Sequence, residues 1–184
     1  MTEFKKIKVE LTGLSPLLMN NPESMLQKKD IEKKKKHYDN KIEAEKVAYR
    51  MKDKTLFIPA RCMKRCFINA SSLFKVKGKS LKPLIAGCTR IEPNQISLNT
   101  KNYKIDLQTV VIQGKDRIIR ARPRLDKWKI NFNIIYRSDV FTSKEVLMKM
   151  KEILYEAGLR FGLLDYRPQK LGEYGTFKVS KFKV

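Results

Sequence analysis

The chain has 184 residues, 42% apolar and 9% aromatic, which excludes a disordered tail and suits one domain, 1–184, with a real core. Its 41 basic residues outweigh 19 acidic ones to leave a net charge of +22, and self-repulsion of that size points to a polyanionic partner, nucleic acid ahead of an anionic membrane. No apolar run approaches the ~20 residues of a membrane span, and residues 1–8 lack a signal peptide's apolar core, so a cytoplasmic location without membrane contact is expected.

The first predicted element is a half-buried strand from Phe4 to Thr12, where Ile7, Val9 and Leu11 alternate with Lys6, Lys8 and Glu10. Gly13 and Ser15-Pro16 end it. Residues 20–55 read as an inserted lid. Its loop, 20–40, holds Lys33, Lys34, Lys35 and Lys36 with little apolar periodicity, and a short helix over 41–51 follows. Leu56-Phe57-Ile58 is a short strand, and Pro59 suits the first position of a helix. In that helix Met63, Cys66, Phe67, Ala70, Leu73 and Phe74 recur at helical spacing, leaving Arg61, Lys64, Arg65 and Asn69 on a basic rim.

Residues 75–100 read as irregular, broken by Pro83, Gly87 and Pro93, with one brief strand over 95–98. A basic β-hairpin, inserted over 101–127, comes next, with strands over 107–112 and 117–121 around a turn at Gln113-Gly114-Lys115-Asp116. Lys115, Arg117, Arg120, Arg122 and Arg124 make it the densest arginine region of the chain. Trp128, Ile130, Phe132, Ile134 and Tyr136 form the clearest alternating strand. Thr142-Ser143-Lys144-Glu145 has the form of a capping box, and Gly158 sits where that helix's C-terminal cap belongs. The last strand, 176–184, slips its alternation between Val179 and Phe182, which predicts a bulge. The order is strand, helix, hairpin strands, strand, helix, strand: an α+β domain of ferredoxin-like arrangement.

The stretch 157–179, AGLRFGLLDYRPQKLGEYGTFKV, concentrates Gly158, Gly162, Gly172 and Gly175 among Arg160, Tyr166, Arg167, Lys170 and Tyr174. Glycines let backbone approach a phosphodiester chain, arginines pair phosphates in a planar fork, and tyrosine faces stack bases. A helix cap followed by a plain turn is the competing explanation. For the hairpin, it is a solvated charged surface.

Three segments in order resemble the RAMP superfamily of CRISPR-associated proteins, above all the subunits that coat guide RNA in effector complexes. They are Thr12-Gly13-Leu14-Ser15-Pro16-Leu17-Leu18, then Phe57-Ile58-Pro59-Ala60-Arg61-Cys62-Met63-Lys64, then the C-terminal glycine-rich loop and strand. Together they cover about a third of the chain, and their order is more specific than any one of them. The resemblance implies an RNA-recognition-motif-like, ferredoxin-like fold, guide-RNA contacts from Lys64 and the glycine loop, and a projecting hairpin around Lys115 and Arg117 that wedges between nucleotides. It also implies copies polymerised along a strand, with further effector subunits as partners. Where the family carries small serines and a glycine around the helix lysine, this chain has Arg61, Cys62 and Arg65. A compact relative from a virus or mobile element, coating single-stranded RNA or DNA on its own, therefore stays open.

Some members of that superfamily cut RNA with a histidine or a loop aspartate. His37 is the histidine candidate here, since neighbouring lysines disfavour its charged form, and the flanking Asp30 and Asp39 are the aspartate candidates. A lone histidine in a charged loop is more often only solvated, so a non-catalytic binding protein is the leading expectation and an endoribonuclease the alternative. No cofactor or metal is expected: Cys62, Cys66 and Cys88 lack paired zinc-site spacing and read as buried thiols of a reducing compartment.

Overall fold

The computed structural model describes residues 3–23, 39–76, 78–112 and 116–184. In chain order its elements are β1 (Phe4–Gly13), β2 (Leu17–Leu18), α1 (Asn40–Lys46), β3 (Phe57–Pro59), α2 (Ala60–Ser71), β4 (Lys75–Val76), β5 (Lys79–Ser80), α3 (Lys82–Cys88), β6 (Thr89–Glu92), β7 (Gln95–Ser97), β8 (Lys104–Ile112), β9 (Asp116–Leu125), β10 (Lys129–Arg137), α4 (Lys144–Glu156) and β11 (Phe177–Lys183). This is an α+β arrangement of four helices and antiparallel sheets. The main sheet runs β11-β1-β10-β6.

The alternation of β1 and β10 does what its period demands. Ile7, Val9 and Leu11 lie opposite Ile134, Phe132 and Ile130, and all six are buried. They share one core with Met63 and Phe67 of α2 and Leu147, Met150, Ile153 and Leu154 of α4, so both helices cover the same sheet face. The expected bulge is present: Leu11 faces Val179 but Glu10 faces Lys181, leaving Ser180 as the extra residue of β11.

Several boundaries differ from the sequence expectation. α1 stops at Val47 instead of reaching residue 51. Pro59 does not open α2 from inside; it closes β3 and stands as the N-cap with extended backbone, φ −61° and ψ 131°. α2 ends at Ser71, so Leu73 is exposed and Phe74 only partly buried. The stretch 75–100 is not irregular. Besides the brief strand expected over 95–98, which is β7 paired with β3, it contains a small β4–β5 hairpin, helix α3 with Pro83 in its first turn and the sheet-edge strand β6. Elements of two to seven residues are too short to display a period. Ser143 rather than Thr142 caps α4, its Oγ accepting from the Val146 amide at 3.2 Å. Gly158 does not terminate that helix. A π turn, Ala157–Phe161, continues it to Gly162.

The hairpin is longer than expected. β8 and β9 pair from Lys104↔Arg124 to Ile112↔Asp116, and β2 flanks β9 at Leu125 and Arg124. α1 packs beside β9: Asp39 caps the helix by accepting from the Lys41 amide at 2.8 Å, and Glu43 reaches the Ala121 amide at 2.9 Å, covering an open edge of the strand.

Candidate functional site

The loop between α4 and β11 is built on unusual backbone. Gly162 and Gly175 have φ of +66° and +73°, and between them Leu164, Tyr166 and Leu171 also adopt positive φ. Left-handed backbone at non-glycine residues holds strain that surrounding contacts must impose. Those contacts are present. The Gly175 amide donates to Pro16 O at 2.7 Å, the Leu163 amide to Gly175 O at 2.9 Å, and the Tyr174 amide to Tyr166 O at 2.9 Å. A Cβ at Gly175 would sit 2.0 Å from Leu163 O. The glycines thus serve close internal approach, and the amides expected to face phosphate are satisfied inside the protein: Gly162 donates to Ala157 O and Gly172 to Arg167 O.

The three segments singled out in sequence meet in space. Leu14 donates to Thr176 O at 2.8 Å and Asp165 to Leu18 O at 3.1 Å, and Cys62 of the middle segment lines one cleft with Gly162 and Arg167. Around their junction lie three adjoining clefts. One, about 610 Å³, is lined by Asn21, Tyr49, Arg61, Asn94 and Gln95. The second, about 220 Å³, shares Tyr49 and adds Asn20, Cys62, Arg65, Gly162, Arg167 and Gln169. The third, about 560 Å³, shares Asp165 and Arg167 and reaches Gln108, Arg122, Tyr166 and Lys170 at the hairpin. Linked by these shared residues, the three clefts follow one another from the β3–α2 junction, past the loop, to the hairpin, and are together called the groove.

The decisive property of this groove is which arginines line it. Arg50, Arg90, Arg120, Arg122, Arg124, Arg137 and Arg160 each contact a carboxylate. Arg61, Arg65 and Arg167 have no carboxylate partner among the described residues, and all three line the groove. Arg61 and Arg65 are one helical turn apart on the exposed face of α2. Arg167 is aimed by its own loop, donating to Leu164 O at 2.5 Å and to Gln169 Oε1 at 3.4 Å. The groove's acids are mostly answered from within: Arg122 pairs Asp165 at 2.9 Å, and Arg50 holds Glu45. Burial pushes the Tyr49 phenol up to about 12 and raises the Cys62 thiol, so both remain neutral at pH 7.

In the expected hairpin cluster, Arg120, Arg122 and Arg124 each meet a carboxylate. Arg120 pairs Glu43 at 2.8 Å, and Arg124 pairs Asp126 at 2.8 Å while its guanidinium lies 5.7 Å from the centre of the Tyr174 ring. These arginines fasten the hairpin to α1 and to the loop instead of forming a free cationic ridge. Tyr174 is likewise a packing residue, edge-on to Tyr166 at 5.7 Å. Arg160 pairs Glu156 along the helix surface at 2.7 Å. Lys64 departs furthest from the expected RNA contact. Its ammonium donates to Ile85 O and Thr89 O, and to Thr89 Oγ1 at 2.6 Å, so its three protons close the end of α3. Burial lowers its pKa to about 8.

Asp39, a catalytic candidate in sequence, is the cap of α1. Asp30, His37, Lys115 and the side chain of Arg117 lie outside what the structure describes. Among the described residues no cluster of His, Cys, Asp and Glu is arranged to hold a metal ion, and no helix is long and apolar enough to cross a membrane. The three cysteines are free thiols, with Cys66 buried and Cys62 and Cys88 only partly so. Tyr49, Asn20 and Gln169 were missed in sequence, because nothing in their local pattern marks residues brought together from three separate segments.

No protein-family model matches this chain, and no curated protein matches it.

Proposed function

We propose that this protein binds single-stranded nucleic acid, RNA in the first place, along the groove between α2, the loop 162–176 and the β8–β9 hairpin. The observation that carries this is the convergence of Arg61, Arg65 and Arg167, the described arginines free of carboxylates, on one groove. Guanidinium forks suit phosphates and base edges, and the amides of Asn20, Asn94, Gln95 and Gln169 supply donors and acceptors beside them. Tyr166, 44% exposed at the groove's hairpin end, offers a ring for a base.

The reading extends to a RAMP-like subunit of ferredoxin-like fold. Two features support it: β1, α2, β6, β10, α4 and β11 follow one another as β-α-β-β-α-β around the order β11-β1-β10-β6, and the three resembling segments meet at the groove. In this reading several copies line up on one strand, and the protein holds the strand without cutting it. Fluorescence anisotropy with a labelled RNA of about 30 nucleotides tests the groove. Alanine at Arg61, Arg65 and Arg167 together is expected to weaken binding by about tenfold per arginine removed, as for lost charge-assisted hydrogen bonds. Unchanged affinity in that variant, with its melting temperature intact, overturns the assignment. Equal affinity for RNA and DNA strands of one sequence turns it towards a general single-strand coat.

A further inference from the structure

The face of the main sheet turned away from α2 and α4 carries a second concentration of charge. By register, Phe4, Lys6, Lys8, Glu10 and Thr12 of β1 share this face with Ile135, Asn133, Asn131 and Lys129 of β10, with Lys183, Lys181 and Lys178 of β11, and with Arg90 and Glu92 of β6, which pair with each other. Glu10 is the carboxylate at its centre. It is only 8% exposed, bonded by Lys129 at 3.0 Å and Lys181 at 3.3 Å, and the Lys129 ammonium holds its carboxyl below the ordinary range. Two lysines therefore neutralise the acid, and Lys6, Lys8, Lys178 and Lys183 remain exposed with no carboxylate partner among the described residues.

We propose that this open face is a second nucleic-acid surface, one that holds the sugar–phosphate backbone by lysine point charges without reading bases. The inference stands apart from the groove, since none of these lysines lines it. Same-face lysines on one strand are about 6.8 Å apart and neighbouring strands about 4.8 Å apart, a lattice of cations that an extended phosphodiester chain can follow. Lysine is a compact point charge and selects no base geometry. Phe4, at the far end of β1, is engaged by the Arg90 guanidinium 5.4 Å from its ring, so the face has little to stack on. At its other end Thr12, Lys129 and Asn131 continue into a cleft of about 640 Å³ under the hairpin base, with Lys104, Lys127 and Asn99 on its walls. A membrane-binding face would set apolar anchors among its cations, whereas here the exposed Phe4 stands at the end of β1 under Arg90, and Thr12, Ser180, Asn131 and Asn133 lie between the lysines.

The test uses the full chain with Lys6→Glu, Lys8→Glu, Lys178→Glu and Lys183→Glu combined, and a parallel set with Gln at the same positions to keep the fold in check. Affinity for a labelled oligouridylate of about 30 nucleotides is measured from about 50 to 200 mM salt. Removing four phosphate contacts should flatten the log–log salt slope by about 3, at about 0.7 per contact. A slope unchanged in both sets overturns the proposal. If the variants instead lose binding to phosphatidylserine vesicles while their RNA slope stays intact, the face meets a membrane and the proposal falls. Loss with the groove variant alone sinks the sheet face and leaves the groove; loss with the sheet variants alone does the reverse.

Discussion

The groove and the open sheet face are both basic, yet they hold their charge in opposite ways. In the groove the arginines without a carboxylate sit on a helix and a strained loop, beside Lys46 and Lys170, with acids nearby paired to other arginines. On the sheet the free cations are lysines spaced by the strand period around one buried glutamate. The contrast teaches that net charge alone locates no site. Most of the described arginines pair with carboxylates, and the groove proposed to bind is set apart by the three that do not.

The largest effect expected from breaking this comparison comes from the loop. Gly175→Ala adds a Cβ against Leu163 O at a φ of +73° and should lower stability by about 3 kcal/mol in urea unfolding. It should also remove groove binding while the salt-sensitive sheet contribution persists. A folded Gly175→Ala protein with full groove affinity would show that the loop's shape is irrelevant.

Next in size is exchange of the cation type. Arg61→Lys, Arg65→Lys and Arg167→Lys together keep the charge but lose the fork, and RNA affinity should fall by about tenfold. The reciprocal change on the sheet, Lys8→Arg with Lys178→Arg, should move affinity by less than about twofold. Equal sensitivity of the two surfaces would erase the distinction between them.

The smallest effect on binding is expected at Lys64, despite its place beside the groove. Lys64→Met should leave RNA affinity unaltered. Its signature is in stability against pH. The pKa of Lys64 is about 8 in the folded protein and about 10.4 unfolded, so between those values the unfolded chain binds more protons and stability rises with pH. The melting temperature of the wild type relative to Lys64→Met should therefore climb from pH 8 to pH 10, and a difference independent of pH would mean that the ammonium is not buried in the fold.

The long periodic elements were legible in sequence. β1, α2, β10 and α4 repeat an apolar residue at strand or helix spacing over seven or more residues, and burial follows that repeat whatever the partner. Even the bulge of β11 could be read, because an extra residue shifts alternation visibly. The brief strand β7 was also legible at 95–98, whereas the strand β6 and the helix α3 were not, since their identity comes from the neighbours they pack with.

By itself the sequence determined an α+β chain with a single clear alternation of core and surface, a strong positive charge, and three segments that belong together. Which cations are free was decided only by tertiary structure. Glu43 and Arg120 are 77 residues apart, and no local pattern pairs them. An ion pair depends on side-chain ends meeting in space within a few ångströms, and that distance is set by how the hairpin, the loop and the helices pack.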